Sequence, residues 1–190
     1  EHKLSVEDVE KLDRELNYPL FDPHGDPIPT ASGEMPPKRG QLLAGYPEGW
    51  EGRVVHVEDK PPHLYALIAR ASIAPGTVLR VVMKNTQDLR IALEGCEYDF
   101  PVEVAEKITV VPLEDGERFD DRLLRLSSLH ENEQASVVRL SPLCFGLERN
   151  RLLDLGLVPG TVVTVDLISP SGSPTAYRVR GASIALRREQ

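Results

Sequence analysis

The residues with the widest chemical range in this 190-residue chain are five histidines and two cysteines, and their spacing excludes several chemistries. Cys96 and Cys144 form no Cys-x-x-Cys pair and share no zinc-binding spacing with any histidine. Two separated thiols fit a reducing compartment better than a disulfide-stapled secreted domain, so a cytoplasmic location is expected. No Gly-x-Ser-x-Gly, Walker loop, dinucleotide fingerprint or His-x-x-x-His occurs, and no enzymatic activity is expected. His24 precedes Gly25 in a turn, where bonding to local backbone is expected. His56 alternates with Val55 and Val57 and is expected to face solvent from a strand. His130 has no partner nearby in sequence. Taken alone, Glu1-His2 is an ordinary solvated end, and Glu58 to His63 is a polar loop.

Composition narrows the class further. Apolar residues make up 41% and charged residues 27%, the balance of a folded globular chain. Aromatics are only 5%, so the cores must rest on Val, Leu, Ile and Ala. A formal net charge of −8 repels phosphates, which argues against direct nucleic-acid contact by this segment. The basic groups Arg149-Asn150-Arg151 and Arg187-Arg188 are too small to reverse that. No apolar run is long enough to span a bilayer, so no membrane insertion is expected.

The elements that must position these residues fall into three parts. Residues 5–17 predict an amphipathic helix, with Ser5 as N-cap, Asp8 at the capping-box position, and Val6, Val9, Leu12 and Leu16 on one stripe. A single short helix of this kind needs a partner to cover its stripe. Residues 18–40 form a connector rich in proline, which forbids helix and favours turns and polyproline II. From residue 52 onward the chain repeats itself. Gly52-Arg-Val-Val-His-Val57 aligns with Ala135-Ser-Val-Val-Arg-Leu140, and Leu67 to Thr77 aligns with Arg151 to Thr161. Each block ends in Pro-Gly-Thr and leads into a β-branched strand, Val78 to Val82 and Val162 to Leu167. An ordered set of matches marks a duplicated unit. Each unit reads as strand, short helix, Pro-Gly turn and further strands, including Arg90 to Leu93, Ile108 to Val111, Thr175 to Arg180 and Ser183 to Arg187. Several short strands in so few residues predict a small closed or partly open barrel. Between the units the charged stretch Glu114 to Asp121 is expected to be a linker.

These residues resemble a known family. Phe21-Asp-Pro-His-Gly-Asp-Pro-Ile-Pro29 resembles the Pro-His-Gly-x-Pro-Ile-Pro signature of DtxR/IdeR/MntR-type metal-dependent transcriptional repressors, where it follows the last dimerisation helix. Glu1-His2-Lys3-Leu4-Ser5 resembles their Glu-His-x-x-Ser. The second unit, with Arg151 to Thr161 and Tyr177-Arg-Val-Arg-Gly-Ala-Ser-Ile-Ala-Leu186, is similar to FeoA. Such domains are SH3-like barrels that occur alone beside ferrous-iron transporters or fused to these repressors. The first unit, with its extra segment Pro101 to Ile108, is similar to the repressors' own C-terminal barrel.

The resemblance implies a mainly β chain with a short N-terminal helical arm and two tandem SH3-like barrels. The expected division is 1–22 as the end of a metal-binding and dimerisation domain and 23–40 as the Pro-rich connector. Residues 41–113 then form the first barrel, 114–123 a linker and 124–190 a FeoA-like barrel. It also implies that Glu1 and His2 are remnants of a primary metal site for Fe²⁺ or Mn²⁺, not tightly held by this segment alone. Glu58 and His63 are the implied donors of an ancillary site, although Pro61 and Pro62 break the family's spacing. Carboxylate and imidazole together suit either ion. The implied intact protein is a homodimer that meets operator DNA through an upstream winged helix-turn-helix, so this chain is expected to be its C-terminal part. The connector is expected to dock on the first barrel. The competing expectation is a tandem FeoA-like adaptor acting with a ferrous-iron transporter. The sequence preceding residue 1 distinguishes the two.

Overall fold

The computed structural model describes residues 6–16, 18–30, 32–141, 144 and 146–187. Helix α1 spans Val6–Glu15, the core of the predicted amphipathic segment. Ser5, and with it the proposed cap, lies outside the described residues. Val9, Leu12 and Leu16 from the stripe are all exposed among the described residues.

Two antiparallel sheets follow. The first contains β1 (Gln41–Leu42), β2 (Glu51–Val57), β3 (Val78–Lys84), β4 (Asp88–Leu93), β5 (Cys96–Pro101) and β6 (Ile108–Pro112). Its spatial order is β1-β6-β2-β3-β4-β5. The second contains β7 (Gln134–Ser136), β8 (Val162–Ile168), β9 (Thr175–Val179) and β10 (Ala182–Leu186), in the order β10-β9-β8-β7. Between β2 and β3 lies helix α2 (Pro62–Arg70), and between β7 and β8 lies α3 (Gly146–Asp154). Proline at the start of α2 gives up no helical bond and presets its first turn. Leu64 and Ile68 bury one face of α2 against the first sheet, with Leu43, Val54, Leu79, Val81, Ile91 and Val110. The smaller second core holds Leu157, Val163, Val165, Tyr177 and Val179. Aliphatic residues dominate both, as the scarcity of aromatics requires.

The repeat extends to individual hydrogen bonds. Val54 N–H donates to the Thr77 carbonyl and Gly76 N–H to the Val54 carbonyl, each at 2.8 Å. In the second unit Val137 N–H donates to Thr161 and Gly160 N–H to Val137, again at 2.8 Å. Thr77 and Thr161 are both buried at the same corner. The strands after the corner carry matching irregularities, at Val81/Met83 in β3 and at Val165/Leu167 in β8. A bulge at the same step bends both strands the same way, which curls each sheet toward closure.

Four details differ from the sequence expectations. β5 was not anticipated, because Glu97 and Asp99 disguise a strand whose alternate residues Tyr98 and Phe100 face inward. His56 does not face open solvent: its side chain is only 19% exposed. A bulge between Val54 and His56 puts both Val54 and Val57 into the core and breaks the strict alternation. The His24 ring bonds the Tyr65 hydroxyl rather than local backbone. The charged stretch after β6 lies on the first sheet. Arg53 pairs with Glu117 at 2.6 Å, and Arg80 takes Asp121 through both terminal nitrogens while its guanidinium sits 4.5 Å above the Phe119 ring.

Candidate functional site

The connector meets the barrel through a turn at residues 22–26. Asp22 Oδ1 accepts the backbone N–H groups of His24 and Asp26 at 2.9 and 2.8 Å, which folds residues 22–26 onto themselves. A bridge between Phe21 and Pro27 shuts the base of this loop. Its tip then meets β2: Val57 N–H donates to the His24 carbonyl at 2.8 Å. Gly25, at φ +94°, lies so close that an added Cβ would fall 2.1 Å from the Val55 carbonyl oxygen. Only glycine combines that conformation with that approach.

Side chains reinforce the contact. His24 Nε2 lies 3.1 Å from the Tyr65 hydroxyl on α2, with the two rings 5.5 Å apart. Asp26 Oδ1 lies 3.4 Å from His56 Nε2 and 3.1 Å from Lys38 Nζ. The Lys38 hydrogen bond holds the Asp26 carboxyl below its ordinary pKa against the opposing effect of burial, and the neighbouring His56 adds a lesser lowering. Sequence reasoning had singled out His24 and His56 separately; the structure brings them to one turn. Tyr65 was missed, since a tyrosine inside an apolar helix carries no local signal of its partner.

The candidate metal donors are placed less compactly. Glu1 and His2 lie outside the described residues. Glu58 immediately follows β2, with its N–H donating to the Lys107 carbonyl at 2.9 Å. His63 stands in the first turn of α2, and both side chains are exposed. They occupy opposite ends of one Pro-containing loop. Among the described residues, no group of three or more His, Cys, Asp or Glu is assembled to hold a metal ion. Glu58 and His63 have the donor chemistry for a divalent ion, but two exposed donors are only part of a coordination sphere. Cys96 and Cys144 are both free thiols, and burial raises the pKa of Cys144.

A helical arm, a docked turn and two small sheets with matching corners define a tandem SH3-like protein. Residues 124–190 match the family described as the FeoA domain and form such a domain. The chain is similar in part to a Porphyromonas gingivalis protein, "Fe(2+) transport protein A/Fe(2+) transporter FeoB fusion protein". The two are 39% identical over 66 residues, which is 35% of this chain and 8% of the fusion protein. Among solved structures, the chain is similar to a "manganese-dependent transcriptional repressor complex with manganese". Identity is 29% and TM-score 0.53, covering 59% of this chain and 55% of that one. A second "manganese-dependent transcriptional repressor" is 30% identical with TM-score 0.51, covering 59% and 63%. The chain thus spans little more than half the length of these repressors. Among the described residues, no helix is long and apolar enough to cross a membrane.

Proposed function

We propose that this chain is the regulatory portion of a metal-dependent transcriptional repressor, in which a divalent ion, Fe²⁺ or Mn²⁺, governs operator binding. The observation that carries this reading is the likeness to two manganese-dependent repressors at 29% and 30% identity. The docked His-Gly turn gives it a physical basis. A helix that ends a sensing domain is tied by this turn to the barrel, so metal binding on one side is felt on the other. In the proposed division, residues 1–22 end the metal-binding and dimerisation domain and 23–40 connect it to a barrel of residues 41–113. Residues 114–123 then lead to the FeoA barrel. Glu1 and His2 contribute to the primary site, and Glu58 and His63 lend donors to an ancillary one. The exposed stripe of α1 packs against other helices of a dimer, and an upstream domain supplies the DNA contact that this acidic chain does not. The protein works in the cytoplasm and carries out no catalysis.

A second reading is favoured by the FeoA domain and its similarity to the iron-transport fusion protein: a tandem adaptor acting with a ferrous-iron transporter. The open reading frame upstream of residue 1 separates the two. A winged helix there supports the repressor; a start codon beside Glu1 supports the adaptor. In the intact protein, Mn²⁺ or Fe²⁺ should raise the melting temperature, and Glu58→Ala should reduce that rise. An unchanged rise in both Glu58→Ala and His63→Ala would remove the ancillary site.

A further inference from the structure

The hairpin between β4 and β5 turns through Glu94 and Gly95, both at positive φ, +47° and +77°. Two residues in that conformation make a type I′ turn, which asks for Asn, Asp or Gly at its first position. Glutamate is a poor choice there, since its longer side chain does not offset the left-handed backbone by a local bond. Where a local rule is broken, the side chain has another task. Here the Glu94 carboxylate receives two arginines from beyond the first barrel. Arg125 Nε donates to Oε2 at 3.0 Å, and an Arg139 terminal nitrogen donates to Oε1 at 3.4 Å. Arg139 follows β7 and belongs to the FeoA barrel; Arg125 opens it.

The surroundings make this more than a surface ion pair. Glu94 and Arg125 side chains are 20% and 22% exposed, against 70% for Asp99, another acid on the same hairpin. Arg125 also donates to the Ala71 carbonyl at 2.8 Å, satisfying an end group of α2. Its guanidinium lies 5.9 Å from the Tyr98 ring centroid. Leu124 packs on the turn so closely that a Cβ on Gly95 would fall 2.3 Å from its side chain. The equivalent hairpin of the second unit turns through Arg180 and Gly181, also at positive φ. Arg180 lies over Gly156 and bonds Thr161 within its own barrel. The same turn position therefore carries a charge for an inward contact in one unit and for an outward contact in the other.

The geometry points to Glu94 as a latch that fixes the FeoA barrel to the first barrel. Through Arg125 it joins the second barrel to the C-terminal end of α2, whose Tyr65 holds the connector turn nearer its start. The connector and the FeoA barrel are thus mounted on the same nine-residue helix, and a displacement of either reaches the other through it. The latch needs no metal and holds under either reading of the protein's function.

Backbone ¹⁵N relaxation on the full chain tests this by comparing rotational correlation times of residues 41–112 and 128–187. The wild type is expected to give one common value. Glu94→Ala, and independently the double variant Arg125→Ala/Arg139→Ala, should give two, while amide shifts inside each barrel persist. Different values in the wild type, or one value retained in both variants, would overturn the latch. Should Glu94→Ala unfold the first barrel, the double variant decides alone, because neither arginine lies in that sheet.

Discussion

Gly25→Ala separates docking of the connector from folding of the barrel. The new methyl would stand 2.1 Å from the Val55 carbonyl oxygen and 2.8 Å from His56 Cα, both backbone atoms of β2. Ordinary contact needs more than an ångström of retreat, and the central sheet cannot supply it, since Val54 and Val57 anchor β2 in the core. The turn must move instead. Retreat by that distance breaks the bond from Val57 N–H to His24 and separates His24 from Tyr65. Two such bonds contribute about 1 kcal/mol each, so undocking becomes easier by about 2 kcal/mol. That corresponds to about 30-fold faster hydrogen exchange at the Val57 amide if the turn opens as a local unit. The assay is exchange read by NMR, with the Tyr65 ring shifts as a second probe. Amides of Val81 and Ile91, deep in the sheet, should keep their protection. Unchanged Val57 exchange would show that the turn is not held where these hydrogen bonds place it. Faster exchange spread over the whole first barrel, Val81 and Ile91 included, would refute local docking differently, by showing that docking and folding are one event.

Two smaller predictions concern other parts of the molecule. Thr77→Val keeps shape but leaves the Ala74 N–H, now bonded to the Thr77 hydroxyl at 3.2 Å, without that partner. The first barrel should lose about 1–2 kcal/mol in urea unfolding, and no measurable loss would show the hydroxyl to be unimportant. Acid should loosen the connector: a carboxyl with a depressed folded pKa stabilises above its ordinary value and loses that contribution as pH falls through the folded one. For Asp26 the effect lies below about pH 4 and, because its side chain is 51% exposed, is limited to about 0.5 kcal/mol. Asp26→Asn should remove the acid dependence of Val57 exchange; its persistence would assign it to another group.

The repeated unit was legible because its marks are local: a Pro-Gly-Thr corner, a β-branched strand after it, and a fixed order of blocks. What sequence could not convey was which charges meet. Glu117 and Asp121 read as a charged linker and Arg125 as the start of the second barrel, yet their partners Arg53, Arg80 and Glu94 lie on strands or a hairpin distant in the chain. His56 was misjudged for a related reason: one extra residue at the bulge resets the alternation, and nothing in a run of valines announces it. Glu58 and His63 were proposed from resemblance alone, and their separation by a loop rich in proline gave no means of judging how they would be placed.

The matching corners bear on how such a protein changes over generations. Nearly everything that holds a corner together is main chain, with a glycine, a threonine and a small core beneath. So few identities are required that a doubled copy is free to replace almost its whole exterior without losing its shape. One copy here ends a hairpin in an acid and its sibling ends the same hairpin in a base. Divergence after duplication can therefore begin at the hairpin tips, where a single codon alters what each copy holds while the frame beneath stays the same.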